Sequence, residues 1–263
     1  MKRILALVTV VFLMTASLPL SAGADAGLSF ASIFGDGMVL QQGRPVQVFG
    51  FGRDGDTVTV TLKKGDEAVA SQTAAVSGGR WNAALPAQSG SFDEYSLEAK
   101  AGSVVRTVEN LVFGEVWIAG GQSNMEWTLA KAAEAADWAK KEHTGKVRFF
   151  VSVDSGSDTP QDDAAGYWLT AVSWDAAQLC SAIGYMFAYN LSDTLGIPVG
   201  IVNTAQGGSR FCTWIGQDTT AANPDFADYV TAQVQPRADD GTWDALHRFY
   251  NSRIHPMRGY QAA

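Results

Sequence analysis

From about Leu28 to Val108 the chain alternates between apolar and polar positions. Thr57-Val58-Thr59-Val60-Thr61-Leu62 alternates strictly, as a strand with one wet face does. Gly55-Asp56 before it and Lys64-Gly65-Asp66 after it are turn chemistry. The same rhythm predicts short strands over Val46–Phe49, Ala68–Val76, Trp81–Leu85, Tyr95–Ala99 and Val104–Val108. Strands this short and closely spaced predict a small β-sandwich. Nothing in this stretch carries catalytic chemistry.

The rhythm then changes. Glu115-Val116-Trp117-Ile118-Ala119 is an apolar run that ends in Gly120-Gly121. Met125, Leu129, Ala132 and Ala136 follow at helical spacing, which predicts a helix through Lys141. Val147–Val151 reads as a strand, and Ile183, Phe187 and Leu191, four apart, predict a helix that Gly196 ends. Ile197–Asn203 reads as a buried strand. Strand, helix and strand in alternation predict a parallel α/β sheet that binds ligands at the carboxyl ends of its strands. Two loops lie at such ends, Gly120–Met125 and Asn203–Trp214.

The first residues have a different pattern. Lys2 and Arg3 precede an apolar run from Ile4 to Leu20, and Ser21-Ala22-Gly23-Ala24-Asp25-Ala26 then offers small-x-small cleavage sites. This predicts a secretory signal peptide over residues 1–26, and a secreted or periplasmic protein with no membrane anchor once it is cleaved. The expected organisation is thus a signal peptide, a β-sandwich over 27–108 and an α/β domain over 109–263.

Composition narrows the function. Of 263 residues, 46% are hydrophobic and 17% charged, enough for a sizeable core, and the net charge is −8. With no basic run to neutralise phosphates, nucleic acid is excluded as a partner. Cys180 and Cys212 match no zinc spacing, and His143, His247 and His255 cluster with neither, so no metal is expected. The cysteines can form one disulfide in an oxidising compartment or stay as buried thiols. A disulfide is geometrically allowed, because a helix start and the end of the next strand share one sheet edge. His143, on a polar helix end, is expected to be solvated.

The first loop reads Gly120-Gly121-Gln122-Ser123-Asn124-Met125-Glu126-Trp127. Ser123 stands between a strand end and a helix start, where backbone N–H groups and the helix dipole can stabilise an oxyanion. Ser123 with Glu126 also spells a capping box, S-x-x-E. The second glycine of a nucleophile elbow is missing. In the second loop, Gly207-Gly208 either brings a backbone N–H to a substrate oxygen or only turns the chain. Spacing alone leaves both pairs of readings open.

Together the loops resemble a known family. Phe34-Gly35-Asp36-Gly37-Met38-Val39-Leu40-Gln41-Gln42, Phe113-Gly114-Glu115-Val116-Trp117, Gly121-Gln122-Ser123-Asn124-Met125-Glu126-Trp127, Gly207-Gly208-Ser209 and Trp214 occur in the order seen in sialate O-acetylesterases, members of the SGNH hydrolase superfamily. The resemblance runs from about Ser29 to Met257. It implies a flavodoxin-like, three-layer hydrolase domain behind a β-sandwich, and a serine esterase that needs no cofactor. Its substrate would be an O-acetylated sugar or sialoglycan. The resemblance makes Ser123 the nucleophile, with its own N–H and that of Gly208, rather than Gly207, in the oxyanion hole.

The departures set a second expectation. Family members usually continue past the Tyr250–Met257 stretch into a further oxyanion block and an Asp-x-x-His that supplies the base. This sequence stops at Ala263, and Cys212 stands where the family often has Glu. Asp244-Ala245-Leu246-His247 does spell Asp-x-x-His, but it matches the family's segment before Tyr250 and not its terminal block. The chain as written is therefore expected to be poorly soluble and nearly inactive. The alternative to an esterase is a catalytically deficient relic that keeps some sugar binding.

Overall fold

A computed structural model describes residues 27–153, 156–157, 159–209, 214–216, 219 and 222–225. Three strands, β1 (Ser29–Phe30), β3 (Val46–Phe51) and β6 (Arg80–Leu85), form one antiparallel sheet in the order β1-β3-β6. β4 (Thr57–Lys64), β5 (Glu67–Ala75) and β7 (Ser91–Ala101) belong to a second sheet. Alternation places the core here: Val58, Val60 and Leu62 of β4 are fully buried, while the residues between them are only partly covered. Their inner faces meet Val48, Trp81, Ala83 and Leu85 from the first sheet in one continuous core. The Trp81 indole N–H donates to the Phe51 carbonyl at 3.0 Å, so this buried polar atom is satisfied.

The expected boundary at residue 108/109 falls inside a single strand. β8 runs from Val104 to Ala119 and changes partners on the way. Its first part pairs antiparallel with β7, Val39–Gln41 (β2) pairs with residues 112–114, and Glu115–Ala119 pairs parallel with β11 (Val199–Asn203). β11 in turn pairs parallel with β9 (Val147–Ser152), and β10 (Gly166–Thr170) adds an antiparallel edge. The predicted parallel α/β sheet is present, with the order β10-β9-β11-β8.

Each face of that sheet has its own core, and period-two alternation decides which residue goes where. Val147 and Phe149 of β9, with Val199 and Ile201 of β11, face helix α4 (Ala182–Leu195). Phe150 and Val202 point the other way and join the sandwich core beside Met38, Val39 and Trp168. Ser181 caps α4 by accepting from the Gly184 N–H at 3.1 Å, and Gly196 ends it in the left-handed conformation, as the sequence predicts. The buried face of α4 is not the expected one. Ala182, Tyr185, Ala188, Tyr189 and Ser192 are buried, whereas Ile183 and Phe187 are exposed. Small residues and flat tyrosine rings let α4 lie close to the sheet.

The helix expected from Met125 through Lys141 is broken into pieces. α1 covers Ser123–Glu126, a 3-10 turn covers Leu129–Lys131, and α2 covers Ala135–Trp138. Tertiary backbone bonds outcompete the helix between them: Leu129 N–H donates to Cys180 O, Ala130 N–H to Gln178 O, and Ala182 N–H to Trp127 O. A last short helix, α3 (Trp174–Ala177), is capped by Ser173. Among the described residues no helix is long and apolar enough to cross a membrane.

Candidate active site

β8 and β11 lie side by side and parallel, with Ala119 opposite Asn203, so the loops that follow them meet. The pairing continues beyond the strands. Thr204 N–H donates to Ala119 O at 3.1 Å, and Gln206 N–H to Gly121 O at 2.9 Å. Gly121 turns the chain at φ 140°, a conformation that disfavours any residue with a Cβ, and this turn delivers Ser123 as the first residue of α1. The Trp214 ring covers Gly120: a Cβ built on that glycine would meet the ring at 3.2 Å.

Ser123 is exposed, and its hydroxyl donates only weakly, to Gln122 Oε1 at 3.4 Å. The expected capping box is not formed. Gln122 occupies the cap position of α1, and no side chain bonds there. Ser123 is already inside the helix, and Glu126 bonds elsewhere: its carboxylate accepts the Gly207 N–H at 2.6 Å. Gly208 follows in the left-handed conformation at φ 76°. Among the described residues neither the Ser123 N–H nor the Gly208 N–H has an acceptor. The structure thus brings together the two loops singled out in the sequence, with one unpaired donor on each.

The other predicted positions fall elsewhere. Asp244, His247, His255 and Cys212 lie outside the described residues. His143 is not solvated as expected. Its ring packs against Trp174 and Tyr185, Nδ1 lies 2.6 Å from the Tyr185 hydroxyl, and burial, with the Lys146 charge, holds its pKa below the ordinary histidine value. It belongs to the packing beneath α4, not to the Ser123 loop. Of the two readings left open for Cys180, the structure shows the buried thiol. Cys180 is a buried free thiol that donates to Ala176 O at 3.7 Å, because it faces the core shared by Ala177 and Ala182.

Burial pushes the Cys180 thiol up to about 12, so thiolate is scarce at neutral pH. Alkylation of Cys180 in the folded protein is expected to be roughly a thousandfold slower than in the urea-denatured protein. Mass spectrometry of the Cys180 peptide over time checks this, and comparable rates would contradict the burial.

The sialate O-acetylesterase of Mus musculus is 31% identical over 230 residues, covering 81% of this chain and 42% of the mouse protein. That of Homo sapiens is 28% identical over 260 residues, covering 91% of this chain and 49% of its own length. The crystal structure of a carbohydrate acetylesterase from Xanthomonas citri superposes with a TM-score of 0.73 at 28% identity, over 88% of this chain and 49% of that one. This chain belongs to the sialate O-acetylesterase family. It spans less than half the length of these three proteins. No protein-family model matches it.

Within that family setting, the sequence missed the Glu126–Gly207 bond. Its partners are 81 residues apart, and the only local signal at Glu126 was the capping box.

Proposed function

We propose that the protein is a secreted or periplasmic serine esterase that removes O-acetyl groups from sialic acid or another acetylated sugar. The observation that carries this reading is the pair of unpaired donors, Ser123 N–H and Gly208 N–H, on adjoining loops beside the exposed Ser123 hydroxyl. In the proposed reaction Ser123 Oγ attacks the acetyl carbonyl carbon and gives up its proton to a base. The carbonyl oxygen takes the negative charge and lies between the two N–H groups, which need no reorganisation to receive it. The bond to the sugar oxygen then breaks, that oxygen is protonated, and an acetyl-serine remains. Water attacks it in the second half-reaction and releases acetate.

The base is not among the described residues that touch Ser123, since its hydroxyl bonds only to Gln122. The resemblance places the base in the family's terminal Asp-x-x-His block, not at Asp244-Ala245-Leu246-His247 or at His255. The test, on a form extended to the length of its relatives, is acetate release from O-acetylated sialic acid, acetylated xylose and the same sugars carrying butyryl esters. Acetyl esters are expected to turn over at least tenfold faster than butyryl ones. Equal rates, or no release from any acetylated sugar, would refute an O-acetylesterase.

A further inference from the structure

We propose that Glu126 is a positioning residue that latches the second loop to the first and so selects which N–H enters the oxyanion hole. The proposal rests on the reading of Ser123 as nucleophile. Residues 123 and 126 are three apart on α1, so their side chains leave the same face of the helix. From there the Glu126 carboxylate reaches across to the Gly207 N–H at 2.6 Å, a charge-assisted hydrogen bond.

Other bonds between the loops lie further back, at Thr204 and Gln206, nearer the sheet. Glu126 therefore holds the tip. Gly207 has to be glycine for this to work: a Cβ there would sit 2.3 Å from Glu126 Oε2 and 3.9 Å from Ser123 Oγ. The gap left by the missing side chain is where the carboxylate enters. With the Gly207 N–H occupied, the next donor along the backbone, Gly208 N–H, is the one left for substrate.

A carboxylate beside a developing oxyanion would ordinarily oppose the reaction. Here one of its oxygens is taken up by a backbone donor, so reach and acceptor matter more than charge. This makes three substitutions behave differently. Glu126→Gln keeps the reach and an acceptor oxygen while losing the charge. Glu126→Asp keeps the charge but is one methylene too short. Glu126→Ala loses both.

In a form extended to the length of its relatives, Glu126→Ala is expected to lower kcat for p-nitrophenyl acetate about a hundredfold, as misplacement by an ångström does, with KM within about twofold. Glu126→Asp is expected to follow it, and Glu126→Gln to regain most of the rate. By NMR hydrogen exchange, the Gly207 amide is expected to be protected in the parent and in Glu126→Gln, and to exchange at least tenfold faster in Glu126→Ala. An unchanged Gly207 exchange rate in Glu126→Ala overturns the latch without reference to turnover. A parental kcat in Glu126→Ala beside an inactive Ser123→Ala overturns the role of Glu126 alone. An active Asp variant with an inactive Gln variant assigns the effect to charge, and the proposal fails. Parental activity in Ser123→Ala removes the reading beneath it instead.

Discussion

In a form extended to the length of its relatives, replacing Ser123 with alanine is expected to reduce acetate release at least a thousandfold while leaving the protein folded. The magnitude follows from the proposed role: without the hydroxyl no acetyl-enzyme forms, and only the oxyanion donors and substrate binding remain to accelerate attack by water. The stability half of the prediction comes from the structure. Ser123 is exposed, accepts no capping hydrogen bond and already sits in the first helical turn, where alanine is a good helix former. The melting temperature should therefore move little. The capping-box reading predicts the reverse pattern, a loss of about 1 kcal/mol in stability with activity spared. Rates of acetate release and thermal denaturation of the two proteins, measured side by side, separate these outcomes. A destabilised but active variant would remove the nucleophile.

The strands read from the sequence before residue 100 were legible because alternation is a local signal, clearest where one face is wet. Val58, Val60 and Leu62 show it without interference. The signal fails where a strand is covered on both faces. Residues 111–114 of β8 are all buried, so two short runs, Val104–Val108 and Glu115–Ala119, read as separate strands of separate domains. In the structure they are one strand passing from the sandwich into the parallel sheet.

Helical spacing misled for a different reason. Met125, Leu129, Ala132 and Ala136 have the right period, but no periodicity records that Cys180 and Gln178 offer backbone carbonyls to the same segment. The site divides the same way. Ser123 and the glycine pair stood out by residue type and by their place after strands. The partner of Glu126 could not be read, because a hydrogen bond spanning 81 residues leaves no mark in spacing. His143 was misjudged because its neighbours in sequence are polar while its neighbours in space are Trp174 and Tyr185.

The second large effect is expected at Arg148, which joins the two cores. Arg148 alternates with Phe149 along β9 and so points away from α4, into the sandwich side, where it is 6% exposed. Among the described residues no carboxylate bonds to it there. Its guanidinium donates instead to the carbonyls of Gly37 at 3.1 Å and Asn110, and to Asn110 Oδ1 at 3.1 Å, with a longer bond to Gly145 O at 3.4 Å. Asn110 adopts φ 55°, a left-handed conformation that costs energy in a residue with a Cβ. The two bonds from Arg148 hold that strained residue of β8 in place. Burial draws the Arg148 pKa down to about 10, still far enough above neutrality for the charge to persist. One side chain thus satisfies acceptors from the 37–38 turn, β8 and the turn before β9. Methionine in its place would fill much of the volume but leave those buried acceptors without donors, at about 1–3 kcal/mol for each. Arg148→Met is therefore expected to cost about 3 kcal/mol or more, a fall of roughly 6–12 °C in melting temperature for a protein of this size. Arg148→Lys, with the charge but without the planar fork, should fall between the two. Calorimetry of the three proteins checks the order. A methionine variant as stable as the parent would mean that apolar contacts alone, from Phe150 and Val202 onto Met38 and Val39, hold the sandwich to the sheet.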